Sequence, residues 1–108
     1  MPNVNNFLPS LEKNMIDFID TSWGSDKSII QQNIKEFINE SKQDLEKWTL
    51  LLANGTLSKN DYEWLVKSKA DLAQLIILKN ITIAKSAANS LIYGLLDKVI
   101  NTAFSSIT

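Results

Sequence analysis

The sequence contains no histidine and no cysteine, and its eleven basic residues are all lysines. Without imidazole there is no catalytic triad, no usual general base near neutral pH, and no glutamate–histidine di-iron site of the kind that helical bundles hold. Without cysteine there are no disulfides and no thiolate ligands. No glycine-rich loop that could cradle a phosphate is present. We therefore predict a protein that is not an enzyme, with no catalytic residues, no metal site and no cofactor.

Glycine and proline are scarce as well, with three and two residues in a chain of 108. Few turn-forming residues imply few and long elements, and they argue against a β fold, which needs turns at short intervals. The apolar fraction of 44% and the charged fraction of 21% are ordinary for a globular protein. Because the length suits one domain, we predict that residues 1–108 form a single all-α domain.

The start of the chain predicts an extended segment followed by a short helix. Residues 1–9 contain three asparagines and both prolines, so we expect them to be extended. The first helix is predicted over residues 10–23, with Ser10 as its N-cap and Gly24 as the residue that ends it. No basic and apolar stretch of the kind found in secretory signals opens the sequence, so the cytoplasm is the default expectation for its location.

A long second helix is predicted over residues 27–54. Its apolar side chains, among them Ile30, Phe37, Leu45 and Leu52, recur at the spacing that places them on one face of a helix. Charged and amide side chains occupy the opposite face. This pattern indicates an amphipathic helix with one side packed against a partner.

A tight turn is predicted where this helix ends. Gly55 can adopt the left-handed conformation that closes a helix, and Ser58 can cap the next one, with Asp61 three residues further on completing an acidic capping box. These signals agree with one another, as they do in a well-specified turn. We therefore predict a long antiparallel helical hairpin formed by residues 27–54 and 59–86.

The second arm of the hairpin opens a segment with helical periodicity that extends to the end of the chain. Residues 59–105 contain no proline and one glycine, so they permit a single continuous helix. Globular helices are rarely so long. A break is the alternative, either near residue 80, where Asn80 precedes three β-branched residues, or near residue 90. Both alternatives remain open at this stage.

The same segment is more apolar than one partner helix can cover. Lys79 and Lys85 are the only charged side chains in residues 75–96, and the first arm of the hairpin is used up opposite residue 86. A helix that is apolar on several sides is buried on several sides. We therefore predict an interaction face within residues 75–104. It comprises Ser86, Ser90, Ile92, Gly94, Leu95, Leu96, Val99, Ile100 and Phe104.

Three arrangements could cover this face: packing within a three- or four-helix bundle, contact with another copy or another helical protein, or contact with lipid. The leading prediction is a non-enzymatic protein–protein interaction or self-assembly module that forms oligomers or binds a helical partner. The alternative is a membrane-active or toxin-associated protein. Lysines inside the apolar segment disfavour this alternative, because a charge at a bilayer centre costs about 2.5–3.5 kcal/mol.

Nucleic acid is not an expected partner. The net charge is −1, the lysines are scattered along the chain, and there is no arginine for bidentate contacts with phosphate or guanine.

The three tryptophans differ in their position on the apolar stripes of the predicted helices. Trp48 lies on the seam of the hairpin, where core packing is expected. Trp23 and Trp64 lie at the edges of their stripes, and we predict that both pack within the chain. The alternative is that one of them anchors a partner, because aromatic residues are enriched at interfaces.

Overall fold

The computed structural model describes residues 6–22 and 27–107, which contain five α-helices and no β-strand. The all-α fold class is confirmed. Expectations for residues 1–5 and for residues 23–26, including Gly24 and Trp23, lie outside the described residues. The helices are α1 (Phe7–Ser22), α2 (Lys27–Ala53), α3 (Lys59–Lys67), α4 (Ala70–Ile77) and α5 (Lys85–Ser106).

The helices form a four-helix bundle in which α3 and α4 together take the place of one helix, and we call this pair the α3–α4 member. α1 packs against α2 and α5, and the α3–α4 member packs against the same two helices from the other side. Cross-contacts show that neighbours run antiparallel: Asp20 pairs with Lys27 at 3.5 Å, and Asn14 donates a hydrogen bond to Thr102 at 2.8 Å. The bundle thus has an up-down-up-down topology.

The turn between α2 and α3 confirms the capping chemistry that the sequence predicts. Gly55 has a φ of +86°, and its N–H donates to the carbonyl of Leu52 at 3.2 Å. The N–H of Thr56 donates to the carbonyl of Leu51 at 2.9 Å, which completes a Schellman motif. The hydroxyl of Ser58 accepts a hydrogen bond from the N–H of Asp61 at 3.0 Å.

The antiparallel hairpin forms, but its second arm is shorter than predicted. Tyr62 meets Thr49 at 2.8 Å, and the Lys69 ammonium lies 2.6 Å from the Asp44 carboxylate, as expected for helices that run in opposite directions from the turn. The arm ends at Ile77 rather than at residue 86. The prediction failed here because helical periodicity continues across a segment that is not helical.

A break over residues 78–84 separates α4 from α5, so a continuous helix over residues 59–105 is wrong and a break near residue 80 is confirmed. Asn80 adopts a left-handed conformation with a φ of +66°, which asparagine tolerates better than most residues. The buried side chain of Asn33 on α2 donates to the carbonyls of Ile77 at 3.1 Å and Lys79 at 3.0 Å. The break is therefore held in place by the facing helix.

A smaller interruption at Ser68 and Lys69 was not predicted. The N–H of Lys69 donates to the carbonyl of Val66, three residues earlier, at 3.0 Å. This 3₁₀-type hydrogen bond winds the helix locally more tightly than an α-helix. Because both residues keep dihedral angles close to helical, with φ and ψ of −65° and −14° at Ser68 and −82° and 1° at Lys69, α3 and α4 continue in nearly the same direction.

α1 begins three residues earlier than predicted. The helix starts at Phe7, and Pro9 falls in its first turn, where a missing N–H costs no helical hydrogen bond. Phe7 is buried in the core. The expectation that residues 1–9 are extended is therefore wrong from Phe7 onward.

The core contains one buried phenol, and its titration gives a testable pH dependence. Tyr62 is fully buried, and this burial raises the pKa of its hydroxyl to about 12, against a smaller opposing effect of the hydrogen bond with Thr49. In the unfolded chain the same group loses its proton near pH 10. Between about pH 10 and pH 12 the unfolded state is thus deprotonated while the native state is not, and folding stability must fall as pH rises.

We expect the Tyr62→Phe variant to lose this part of the alkaline destabilisation. For the wild-type chain it amounts to at most about 2–3 kcal/mol, absent below pH 10 and complete near pH 12. The measurement is the free energy of urea unfolding of both chains at several pH values from 8 to about 11.5. Other titrations are common to the two chains and cancel in the difference, so parallel pH profiles would contradict the assignment.

Candidate protein-interaction surface

The interaction face predicted from the sequence is largely internal. Ile92, Leu95, Leu96, Val99 and Ile100 are all buried in the core of the isolated chain. After the break at residues 78–84, α5 turns back along the bundle and lies between α1 and the α3–α4 member, which cover its apolar side. For these five residues the leading prediction of contact with a partner is therefore wrong, and packing within the helical bundle, one of the three arrangements that the sequence left open, is observed.

The other four residues of the predicted face are used differently. Gly94 faces the ring of Phe18 on α1, and a Cβ atom at this position would lie 2.7 Å from the Phe18 Cζ atom. Phe104 is half-buried beside Tyr62, with the Lys59 ammonium 5.1 Å from its ring centroid. Ser86 and Ser90 are exposed. The glycine thus accommodates an aromatic ring of the same chain.

Among the side chains that the structure describes, five large apolar ones remain exposed: Ile29 (40%), Leu50 (53%), Trp64 (74%), Leu75 (73%) and Tyr93 (48%). Trp64 and Leu75 are the most exposed of the five. The prediction that Trp64 packs within the chain is wrong, and the alternative that it contacts a partner remains. Trp48 is half-buried and packs against the core, as predicted.

Trp64 and Leu75 lie on the same outer side of the α3–α4 member. They are eleven residues apart, which is about three helical turns. Ser68 and Asp71, at the intermediate helical positions, are exposed as well. We call Trp64, Ser68, Asp71 and Leu75 the α3–α4 stripe. This stripe is not a continuous apolar pattern in the sequence, because two of its four residues are polar, although its spacing of 4, 3 and 4 residues is visible there.

The α3–α4 stripe rests on a rigid support. On the opposite side of the same member, Val66, Ala73 and Ile77 are fully buried. Lys69 ties the middle of the member to α2, through its ion pair with Asp44 at 2.6 Å and through a contact with the Trp48 ring at 5.4 Å. A surface on such a support is ordered before any partner binds, which lowers the entropic cost of binding.

Charged side chains border the α3–α4 stripe. Lys67 and Asp71 are exposed, and neither belongs to an ion pair with another described residue. Asp61 and Glu63 add negative charge near Trp64. The stripe therefore combines two apolar groups with charges of both signs that are available to a partner.

A polar groove lies between α1 and α5. It encloses about 420 Å³ and is lined by Asn14, Asp17, Phe18, Lys98, Asn101, Thr102 and Ser105. Within the groove Asn14 donates a hydrogen bond to Thr102 at 2.8 Å, and Asp17 pairs with Lys13 of the same helix at 3.3 Å.

Among residues 6–22 and 27–107, no group of three or more acidic side chains is arranged to hold a metal ion. In the same ranges, no helix combines the length and the apolar character needed to cross a membrane.

Comparison of the chain with protein-family models, with curated proteins and with solved structures gives no match. Function must therefore be inferred from the chain's own surface.

Proposed function

We propose that this protein is a non-enzymatic helical module that binds another protein chain through the α3–α4 stripe. The observation that carries the proposal is the exposure of Trp64, at 74%, on the same helical side as Leu75, at 73%. Tryptophan is among the residues that contribute most to binding energy at protein interfaces. It is the largest apolar side chain, and exposing it to water in the free protein has a free-energy cost that a partner can remove.

The pattern of the stripe supports this function more than exposure alone does. Single exposed apolar residues are normal on protein surfaces. In the α3–α4 stripe, however, two large side chains recur at the spacing by which one helix packs against another. The apolar side of α5, which gave the lipid alternative its motive, is covered by α1 and the α3–α4 member.

The test is site-specific photocrosslinking in the cells that produce the protein. A benzophenone amino acid at Asn60, an exposed position one turn before Trp64, should form a discrete protein adduct. The matched control is Gln43, which is exposed on α2. We expect no discrete adduct from position 43, and loss of the adduct from position 60 when Trp64→Ala is added. Equal labelling from the two positions would contradict the proposal.

Trp64→Ala must leave the fold intact for this comparison to be meaningful. Because the side chain is mostly exposed, we expect its removal to change the free energy of unfolding by no more than about 0.5 kcal/mol. Urea unfolding followed by circular dichroism measures this change. A larger loss would mean that Trp64 has a structural role instead.

A further inference from the structure

We propose that the partner of the α3–α4 stripe is a second copy of the same chain, packed antiparallel about a two-fold axis. This inference rests on the proposed function and names the occupant of that surface. The stripe reads Trp64, Ser68, Asp71 and Leu75, with spacings of 4, 3 and 4 residues, so its spacing is the same in both directions. A two-fold interface requires such a self-complementary surface.

The side chains match when two stripes are placed antiparallel. With the two-fold axis midway between Ser68 and Asp71, Trp64 of each copy faces Leu75 of the second copy. The small Ser68 side chain, whose hydroxyl donates to the carbonyl of Leu65 of its own chain at 2.6 Å, faces Asp71 of the second copy. The large groups thus lie at the two ends of the contact and the small polar groups lie at its centre, which allows the two helical members to approach closely.

Charge also favours the antiparallel arrangement. It brings Lys67 of each copy close to Asp71 of the second copy, and these two exposed residues have no ion-pair partner among the described residues. A parallel arrangement would instead place Asp71 against Asp71, which is unfavourable. The net charge of −1 adds almost no long-range repulsion between copies.

The size of the contact sets the expected strength. One helical member against its copy buries on the order of 1,000 Å² in total, which is at the low end for specific interfaces. We therefore expect a reversible dimer with a dissociation constant on the order of 10 μM rather than a permanent one.

Sedimentation velocity of the full chain from about 1 to about 200 μM tests this expectation around that dissociation constant. The wild-type chain should shift from monomer to dimer over this range. Trp64→Ala and Leu75→Ala should each weaken dimer formation by about tenfold or more. Leu50→Ala is the matched control, because Leu50 is also an exposed leucine but lies on α2, and it should leave the dimer unchanged.

A charge exchange tests the antiparallel geometry. Lys67→Asp and Asp71→Lys should each weaken the dimer, because each places like charges across the contact. The double variant carrying both changes restores opposite charges and should recover most of the wild-type association. The antiparallel arrangement is overturned if both single variants weaken the dimer and the double variant does not restore it. It is also overturned if the dimer persists in Trp64→Ala and Leu75→Ala.

The photocrosslinking experiment separates this inference from the proposed function. An adduct from position 60 with the mass of two copies supports both. A wild-type chain that remains monomeric at about 200 μM, with a Trp64-dependent adduct to a different protein, overturns the second-copy inference and leaves the proposed function standing. A monomer with no Trp64-dependent adduct overturns both.

Discussion

Ile92→Asp should unfold the protein. Ile92 is fully buried on α5 and belongs to the hydrophobic core of the bundle. An unpaired carboxylate in the core costs several kilocalories per mole even after it takes up a proton, which is comparable to the whole stability of a small domain, about 5–15 kcal/mol. Far-UV circular dichroism and a thermal melt would show the loss of cooperative unfolding.

Ser90→Asp is the matched control, since Ser90 is exposed on the same helix. We expect it to change the free energy of unfolding by no more than about 0.5 kcal/mol. The comparison also decides between the structure and the face predicted from the sequence. If Ile92→Asp stayed folded, with a wild-type melting temperature, α5 would present its apolar side to solvent and the burial described for it would be wrong.

Asn33→Ala should produce the second largest effect. The Asn33 amide donates to the carbonyls of Ile77 and Lys79, at 3.1 and 3.0 Å, where α4 ends and the break begins. Alanine leaves both acceptors without this donor, in a place that is partly or fully shielded from water. We expect a loss of about 2–3 kcal/mol in the free energy of unfolding, and a melting temperature lower by about 10 °C.

Gln32→Ala provides the control, because Gln32 is the exposed neighbour of Asn33 on α2. It should leave the melting temperature almost unchanged. Hydrogen exchange should locate the effect of Asn33→Ala at the break, where the amide of Ile81, bonded to the carbonyl of Leu78 at 3.1 Å, should exchange faster. The role assigned to Asn33 would be contradicted if Asn33→Ala had the melting temperature of Gln32→Ala. It would also be contradicted if hydrogen exchange increased first in another part of the chain.

Local chemistry made the first hairpin predictable. α2 and the turn that follows it depend on the spacing of apolar residues, on the left-handed conformation of Gly55 and on the capping by Ser58, all of which act within a few residues. The predicted end of α2 differs from the observed one, Ala53, by a single residue. Neighbouring signals of this kind need no knowledge of the remaining chain.

The position of α5 was not predictable in the same way. The sequence correctly shows more apolar surface in residues 75–104 than one helix can cover. What covers it depends on whether the chain turns at Asn80. A break of the helix loses backbone hydrogen bonds, and this loss is offset by the contacts of α5 with α1 and with the α3–α4 member and by the amide of Asn33. These partners are distant in the sequence, so helical periodicity alone cannot identify them.

The candidate site shows a related limit. From its position in the sequence, Trp64 lies at the edge of an apolar helical stripe. Whether its side chain is buried or exposed depends on how the helices of the bundle pack. The exposed fraction of Trp64 is set by the placement of α2 and α5 on either side of the α3–α4 member, which no local signal specifies.

The antiparallel contact between α1 and α5 would allow the helices to be connected in a different order. Ser10, in the first turn of α1, and Ser106, the last residue of α5, line the same shallow depression. The start of α1 and the end of α5 therefore lie close together at one end of the bundle. A linker that joined them, with a cut within residues 78–84, would give a circular permutant whose helices keep all their neighbours. Its α3–α4 member would then end at a free terminus.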